Sequence, residues 1–304
     1  MRAVTGSLLL IALLATGLVA QQPPASAPPQ AAAPGPPAFI PLPAELQQYL
    51  DQVLDVWERR SNDIRVYRCN FQRWEFDSVF GPADQPKRYS EGQIRYAMPD
   101  KGLFRVEKVL NYQAPEQPGG KPKYITLPAD YREHWICDGN SIWEFDEQRK
   151  VLVQQLLPEE LKGKSITQGP LPFLFRAEAD VLRRRYWIRA ITPDRVQKTE
   201  IWLEAYPRTM QDSANFLKVH IIIDRKTVLP RGLVIFDRNY QPGRNSSRTV
   251  FSFNDREVNY ATPITLPNVF QRHFYEPAIP SGWRKEVRPA PVVQANRPGQ
   301  GQQR

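Results

Sequence analysis

Cysteine and histidine are scarce in this chain of 304 residues, which holds two of the first and three of the second. His134, His220 and His273 stand far apart and show no metal-ligand spacing, so no metal centre is expected. His220, in a strand-like segment, reads as a surface polar residue. The chain has no glycine-rich phosphate loop and no G-x-S-x-G elbow, and no cofactor is expected. Two carboxylate pairs, Glu75 with Asp77 and Glu144 with Asp146, share strand faces as a glycosidase pair would. Acidic residues on the wet face of a strand are far commoner, so no catalytic residue is assigned and the chain reads as a non-enzyme. Cys69 and Cys137 lie in strand-like segments. In an oxidising compartment a disulfide between them would close a long loop and stabilise by roughly 3–5 kcal/mol. The other reading is two separate buried thiols.

What the chain has in excess is proline, aromatics and positive charge. Its 30 prolines gather toward the two ends, and the formal charge is +9 with a pI near 9.6. A basic balance suits anionic partners. The basic residues are dispersed, and the densest cluster, Arg183-Arg184-Arg185 before Tyr186 and Trp187, reads as a solvated helix end running into a strand. No nucleic-acid partner is expected.

Arg2, the apolar core Leu8 to Leu14 and the small residues up to Ala20 form the pattern of an export signal cut after Ala20. The apolar run is too short for an ordinary membrane span, and no cysteine follows it for lipid attachment. The expected organisation is a signal over 1–20, a disordered Pro/Ala/Gln-rich linker over 21–41, one domain over 42–284 and a disordered tail over 285–304. The mature chain is expected to be exported, soluble and periplasmic or otherwise extracytoplasmic, with no membrane span.

Within the domain, Leu46, Leu50, Val53, Leu54 and Trp57 recur at helical spacing and predict an amphipathic helix lying on a sheet. The period then becomes strand-like. Ile94, Tyr96 and Met98 share a face, and Leu103 to Glu107 follow a Pro99-Asp100-Lys101-Gly102 turn. Trp135-Ile136-Cys137-Asp138-Gly139-Asn140-Ser141-Ile142-Trp143-Glu144-Phe145-Asp146 reads as a hairpin around an Asp-Gly turn. Prolines at 170 and 172 forbid a long central strand near Gly169 to Phe175, which reads as a buried connection or as a lid over an apolar cavity. A helix is predicted from Ala177 to Arg184. Leu217, Val219, Ile221 and Ile223 share one strand face opposite Lys218, His220 and Asp224. The fold class is α+β, mainly β: a curved antiparallel sheet with helices on one face.

The order of these motifs resembles the LolA-like superfamily of exported lipoprotein carriers. The likeness rests on the initial helix, Ile94-Arg95-Tyr96-Ala97-Met98-Pro99, Leu103-Phe104-Arg105-Val106, the hairpin over 137–146, Pro172-Phe173-Leu174-Phe175, Leu203-Glu204-Ala205-Tyr206-Pro207, Thr249 to Asn254, and Phe274-Tyr275-Glu276-Pro277. An uncharacterised exported domain family of planctomycete-type bacteria is similar in Tyr67-Arg68-Cys69, Trp135 to Gly139, Gly169 to Phe175 and Glu204-Ala205-Tyr206-Pro207. The resemblance implies an incomplete β-barrel whose concave face is covered by helices and holds acyl chains; burial is worth about 0.8 kcal/mol per CH₂. Met98 stands where the carriers tend to have an arginine that helps hold the lid, with Arg95 the nearest basic residue. The segment from Asn111 to Pro128 is an insertion.

The expected function is therefore binding of a lipid acyl chain or lipoprotein in an apolar half-barrel. The alternative is an envelope protein-binding or sensing module with a filled core. Phe104, Trp143, Phe145, Phe173, Phe175, Leu203 and Phe251 are the candidates for cavity or lid.

Overall fold

Alternating apolar and polar side chains dominate the chain from Val66 to Val258, and that period builds one large sheet. The computed structural model describes residues 34–82, 84–117, 120–159, 162, 173, 177–260 and 273–290. The expected export signal, the linker up to residue 33, Phe175 and the tail beyond residue 290 lie outside the described residues.

The strands are β1 (Val66–Phe76), β2 (Arg88–Ala97), β3 (Lys101–Gln113), β4 (Lys123–Thr126), β5 (His134–Cys137), β6 (Ser141–Asp146) and β7 (Val151–Leu156). They continue with β8 (Tyr186–Ala190), β9 (Glu200–Pro207), β10 (Lys218–Asp224), β11 (Leu229–Phe236), β12 (Arg248–Val258) and β13 (Arg284–Arg288). Their order across the sheet is β13-β7-β6-β5-β3-β2-β1-β12-β11-β10-β9-β8, with β4 beside β3. The sheet is open and curved, with β13 and β8 as its edges. The insertion is the hairpin formed by the end of β3 and β4, with Leu110 opposite Thr126.

Helix α1 (Ala44–Asn62) buries Leu50, Val53, Leu54, Trp57 and Ser61, the expected stripe moved one turn along. Leu46, in the first turn, is 51% exposed instead of joining the stripe. Each of the larger apolar side chains buried here contributes roughly 1.5–3 kcal/mol. Arg59 and Arg60 stand in the last turn, where the helix dipole favours cations. Arg60 also donates from Nε to the Thr227 carbonyl at 3.1 Å, fastening the helix to the β10–β11 turn.

Helix α2 (Ala179–Arg185) buries Ala179 and Leu182 and runs straight into β8, as the arginine triplet suggested. Arg183 donates to Asp51 of α1 and reaches Asp55 at 3.3 Å. Arg185 grips Asp212 in the short helix α3 (Met210–Ser213). Two of the three arginines are thus structural ties, and Arg184 alone of the triplet is exposed.

Two corrections concern the ends of the domain. The loose tail expected from residue 285 begins as strand β13, which pairs with β7 in parallel, Arg284 opposite Val151. This is the sheet's parallel pairing, so the sheet is not wholly antiparallel. Sequence alone could not place it, because Arg284–Arg288 carries no apolar alternation of its own; the strand is held by ladder hydrogen bonds at an edge. The expected linker also does not stay loose up to residue 41. Phe39 packs against Tyr206 with ring centroids 5.8 Å apart, the Arg189 guanidinium lies 4.3 Å from its ring, and Leu42 packs on the core.

Candidate binding faces

The ladder registers sort side chains onto two faces. One inner row crosses eight strands: Ala190, Leu203, Ile221, Leu233, Phe251, Arg73, Ser90 and Val109. Leu203, Ile221 and Leu233 are fully buried at 0% exposure. This face meets α1 and α2 in a single core. On it Phe71 stacks on Phe104 at 4.8 Å, Phe104 stacks on Trp135 at 5.3 Å, and Phe251 leans on Phe71 at 6.0 Å. Phe173 is buried against Tyr186 at 5.1 Å.

Four candidates, Phe104, Phe173, Leu203 and Phe251, are therefore inside, where they fill space against one another. Trp143 and Phe145 are not among them. Trp135 pairs with Glu144, so its neighbours Trp143 and Phe145 point to the opposite, outer face. There Trp143 donates its Nε1–H to Asp138 at 2.6 Å and carries the Lys285 ammonium 4.7 Å from its ring. Phe145 stacks on His134 at 4.0 Å and meets Trp283 edge-on at 6.1 Å. Both rings lie under the C-terminal segment. The apolar richness of the hairpin arms reflects cover on two sides, which a period-two pattern does not distinguish from a cavity wall.

The hairpin turn is built by Asp138. Its Oδ1 accepts the backbone N–H groups of Asn140 and Ser141, each at 2.8 Å. Gly139 sits at φ +95°, and an added Cβ would lie 2.4 Å from Asp100 Oδ2. The Asp-Gly…Trp motif is thus a structural device. His134 is neutral well below its usual range: burial, aided by the Arg105 charge, pushes its pKa down to about 4.

The two thiols are buried, and neither is half of a disulfide. Cys69 lies on β1 and Cys137 on β5, with β2 and β3 between. Three strand spacings of about 4.8 Å put them roughly 14 Å apart, beyond the reach of a disulfide. Burial pushes the Cys69 thiol up to about 12.

Two polar features were missed in the sequence. Arg73 is buried in the inner row, where its guanidinium meets Glu133 at 2.7 and 3.1 Å and Ser90 Oγ at 3.3 Å. Glu204 is the other, with its side chain only 3% exposed. It accepts from Arg189 at 2.6 Å and Lys218 at 2.7 Å, and pairs with His220 at 3.1 Å. Burial drives this carboxyl upward, but hydrogen bonds from His220, Lys218 and Arg189 outweigh it and hold the pKa at about 2. His220 is consequently a covered partner of Glu204 and Phe236, not the surface residue its strand position suggested. Glu204 stands at an outward-reading strand position between the inward-facing Leu203 and Ala205, so its burial left no signal in the sequence.

Around that carboxylate the outer face alternates rings and cations. One row runs Trp187, Tyr206, Lys218, Phe236, Arg248 and Phe76 across β8, β9, β10, β11, β12 and β1. Lys218 lies 5.6 Å from the Tyr206 ring and 4.8 Å from that of Phe236. Arg248 lies 4.0 Å from the ring of Phe76, and Arg208 5.0 Å from that of Trp187. Arg208 and Arg248 donate to backbone carbonyls and meet no carboxylate among the described residues. With Arg189 and Lys218 against the single Glu204, the row carries excess positive charge.

Two of the clefts among the described residues are lined mostly by polar residues. One, of about 280 Å³, is lined by Arg231, Asn254, Asp255 and Arg256 among others, and the second, of about 670 Å³, by Asn62, Asp63, Arg65, Val66, Met98 and Asn259. Met98 is half exposed and lines the second. Among the described residues no group of three or more His, Cys, Asp or Glu is placed to hold a metal ion. No helix among them is long and apolar enough to cross a membrane. Asn245 Oδ1 accepts from Ser78 Oγ at 2.8 Å.

The chain has distant likenesses among solved structures. Across 79% of its length it is similar to all of an uncharacterised conserved protein from Thermus thermophilus, at 11% identity and a TM-score of 0.41. It is similar over 72% of its length to a LolA superfamily protein of Nitrosomonas europaea, covering 99% of that chain at 12% identity and a TM-score of 0.31. Over 70% of its length it is similar to 58% of a chain in the MucA/MucB complex of Pseudomonas aeruginosa, at 13% identity and a TM-score of 0.33. These likenesses concern the fold and carry nothing about activity or ligands. No family model and no curated protein matches the chain.

Proposed function

We propose that this is a non-catalytic extracytoplasmic binding protein that takes an acidic partner, a polymer or an acidic protein segment, on its outer face. The supporting observation is the row of alternating rings and cations from Trp187 to Phe76, with Arg208 and Arg248 lacking carboxylate partners among the described residues. Its inner face serves as a scaffold packed with its own side chains. Rings covered by cations offer flat apolar contact and fixed charge together, and the overall charge of +9 adds long-range attraction. Binding of the mature chain to an immobilised polyuronate is expected to fall steeply with salt and to weaken roughly tenfold in Arg208→Ala/Arg248→Ala. Equal retention of the variant, or no retention of either protein, sinks this reading.

The second reading is an acyl chain held on the inner face. It is favoured by the aromatic wall of Phe71, Phe104 and Trp135, the last only partly buried. Native mass spectra of the exported protein separate the two readings. A lipid-mass adduct released by organic extraction supports the acyl chain, and a bare mass under gentle conditions removes it.

A further inference from the structure

The turn between β1 and β2 presents, side by side, the two most exposed large apolar side chains among the described residues. Among the described residues, Phe80 is 79% and Val79 69% exposed, and every other large hydrophobic is more covered. Single exposed apolar residues are ordinary, but an adjacent pair at a projecting turn is not.

The turn holds the pair outward by a dense set of polar contacts. Asp77 Oδ1 accepts the backbone N–H groups of Val79 at 2.9 Å and Phe80 at 3.0 Å. The Asp77 carbonyl accepts the Gly81 N–H at 2.9 Å, and its Oδ2 meets the Lys87 ammonium at 2.7 Å. Ser78 donates from its backbone to Ser247 Oγ at 3.1 Å and from its hydroxyl to Asn245 Oδ1 at 2.8 Å. The tip is therefore tied both to its own stems and to the β11–β12 loop. An ordered tip loses little conformational entropy on docking.

Cations ring its base. The Lys87 ammonium lies 5.1 Å from the Phe80 ring, and Arg248 covers Phe76 one strand away. Arg238 and Arg244 are exposed on the adjoining loop and form no ion pair among the described residues. The acidic groups nearby are Glu75, shared at 3.9 Å by Arg73 and Arg88, with Asp77, Asp84 and Asp237. Asp77 is held in the turn, Asp237 accepts the Asn239 N–H at 2.8 Å, and Asp84 is exposed.

The geometry points to this tip as a membrane-docking element. Val79 and Phe80 enter the interface of an anionic bilayer while Lys87, Arg238, Arg244 and Arg248 stay at its headgroups. A protein partner fits less well. Two side chains at a tip offer far less than the roughly 800 Å² per partner that a stable protein interface buries. Apolar residues flanked by lysine and arginine match the layered chemistry of a lipid surface. Arg248 is common to this docking and to the outer-face row, whereas Val79 and Phe80 belong to the docking alone.

The test uses the whole mature chain and vesicles of phosphatidylglycerol with phosphatidylethanolamine, against vesicles of phosphatidylcholine alone. Sedimentation is expected to show binding to the anionic vesicles that weakens with salt. Val79→Ser/Phe80→Ser is expected to reduce that partition by roughly tenfold or more, with unchanged far-UV circular dichroism and unchanged polyuronate retention. Because Cys69 and Cys137 are buried, Phe80→Cys supplies one exposed thiol for an environment-sensitive dye. Its emission is expected to shift to the blue on anionic vesicles. No vesicle binding, undiminished binding by the double variant, or a dye that stays in water overturns the proposal. So does a tip that binds a polypeptide but no bilayer.

Discussion

Glu204 is the residue on which outer-face chemistry and stability meet. Its carboxylate is shared by Arg189, Lys218 and His220, and its pKa is held at about 2 against an ordinary 4.5. A lowered carboxyl pKa gives stability that is complete above pH 4.5 and lost as pH falls toward 2. His134 acts in a higher window. Its pKa of about 4 lies below the ordinary 6.5, so the unfolded chain takes up the proton first. Stability from His134 is complete above pH 6.5 and declines as pH falls toward 4. Melting temperatures recorded from about pH 8 to pH 2 should therefore decline through both windows. Glu204→Gln should abolish the lower decline, keep the upper one, and cost about 2–3 kcal/mol at neutral pH by leaving Arg189 and Lys218 without their counter-ion. A variant whose profile parallels the parent's would show that the cluster contributes nothing.

At the scale of elements, the sheet's shape depends on where the backbone approaches itself closely. Gly92 lies at the irregularity between Glu91 and Gly92 in the β2–β3 ladder. A Cβ there would stand 2.0 Å from the Arg105 carbonyl oxygen and 2.8 Å from Phe71 Cζ. Gly92→Ala should destabilise by about 1–3 kcal/mol through overpacking, read as a lower midpoint in urea with an unchanged slope. A neutral result would mean that β2 and β3 can part without cost. The elements most legible beforehand were those with long regular patterns. Strand β10 has Val219, Ile221 and Ile223 buried as its alternation predicted, and α1 has the expected helical stripe apart from Leu46. Strand β13 and the β4 flap were not legible, because Arg-Lys-Glu-Val-Arg and Lys-Tyr-Ile-Thr carry too little apolar pattern to reveal a strand held by edge pairing.

For the whole molecule, sheet order decides what distant residues can do together. For Cys69 and Cys137 the sequence left two readings, a disulfide and two separate buried thiols, because both fall in strands of a chain expected to be exported. Two intervening strands keep them apart. The protein purified without reductant should take up two equivalents of an alkylating reagent once unfolded, one for each cysteine, and almost none while native. A native mass lower by two hydrogens would contradict this topology.

The sequence by itself determined the mainly β class, the leading helix, the Asp138-Gly139 turn and most core strands. These follow from periodicity and from turn chemistry, which act over a few residues. Tertiary structure decided which face each aromatic serves. Phe104 and Phe251 lie inside and Trp143 and Phe145 outside, because register sets the face, and register is a relation between strands. It also decided that Glu204 is buried among cations from β8 and β10. Those cations lie up to fifteen residues away in sequence and one strand away in space, and only the pairing of the strands brings them together.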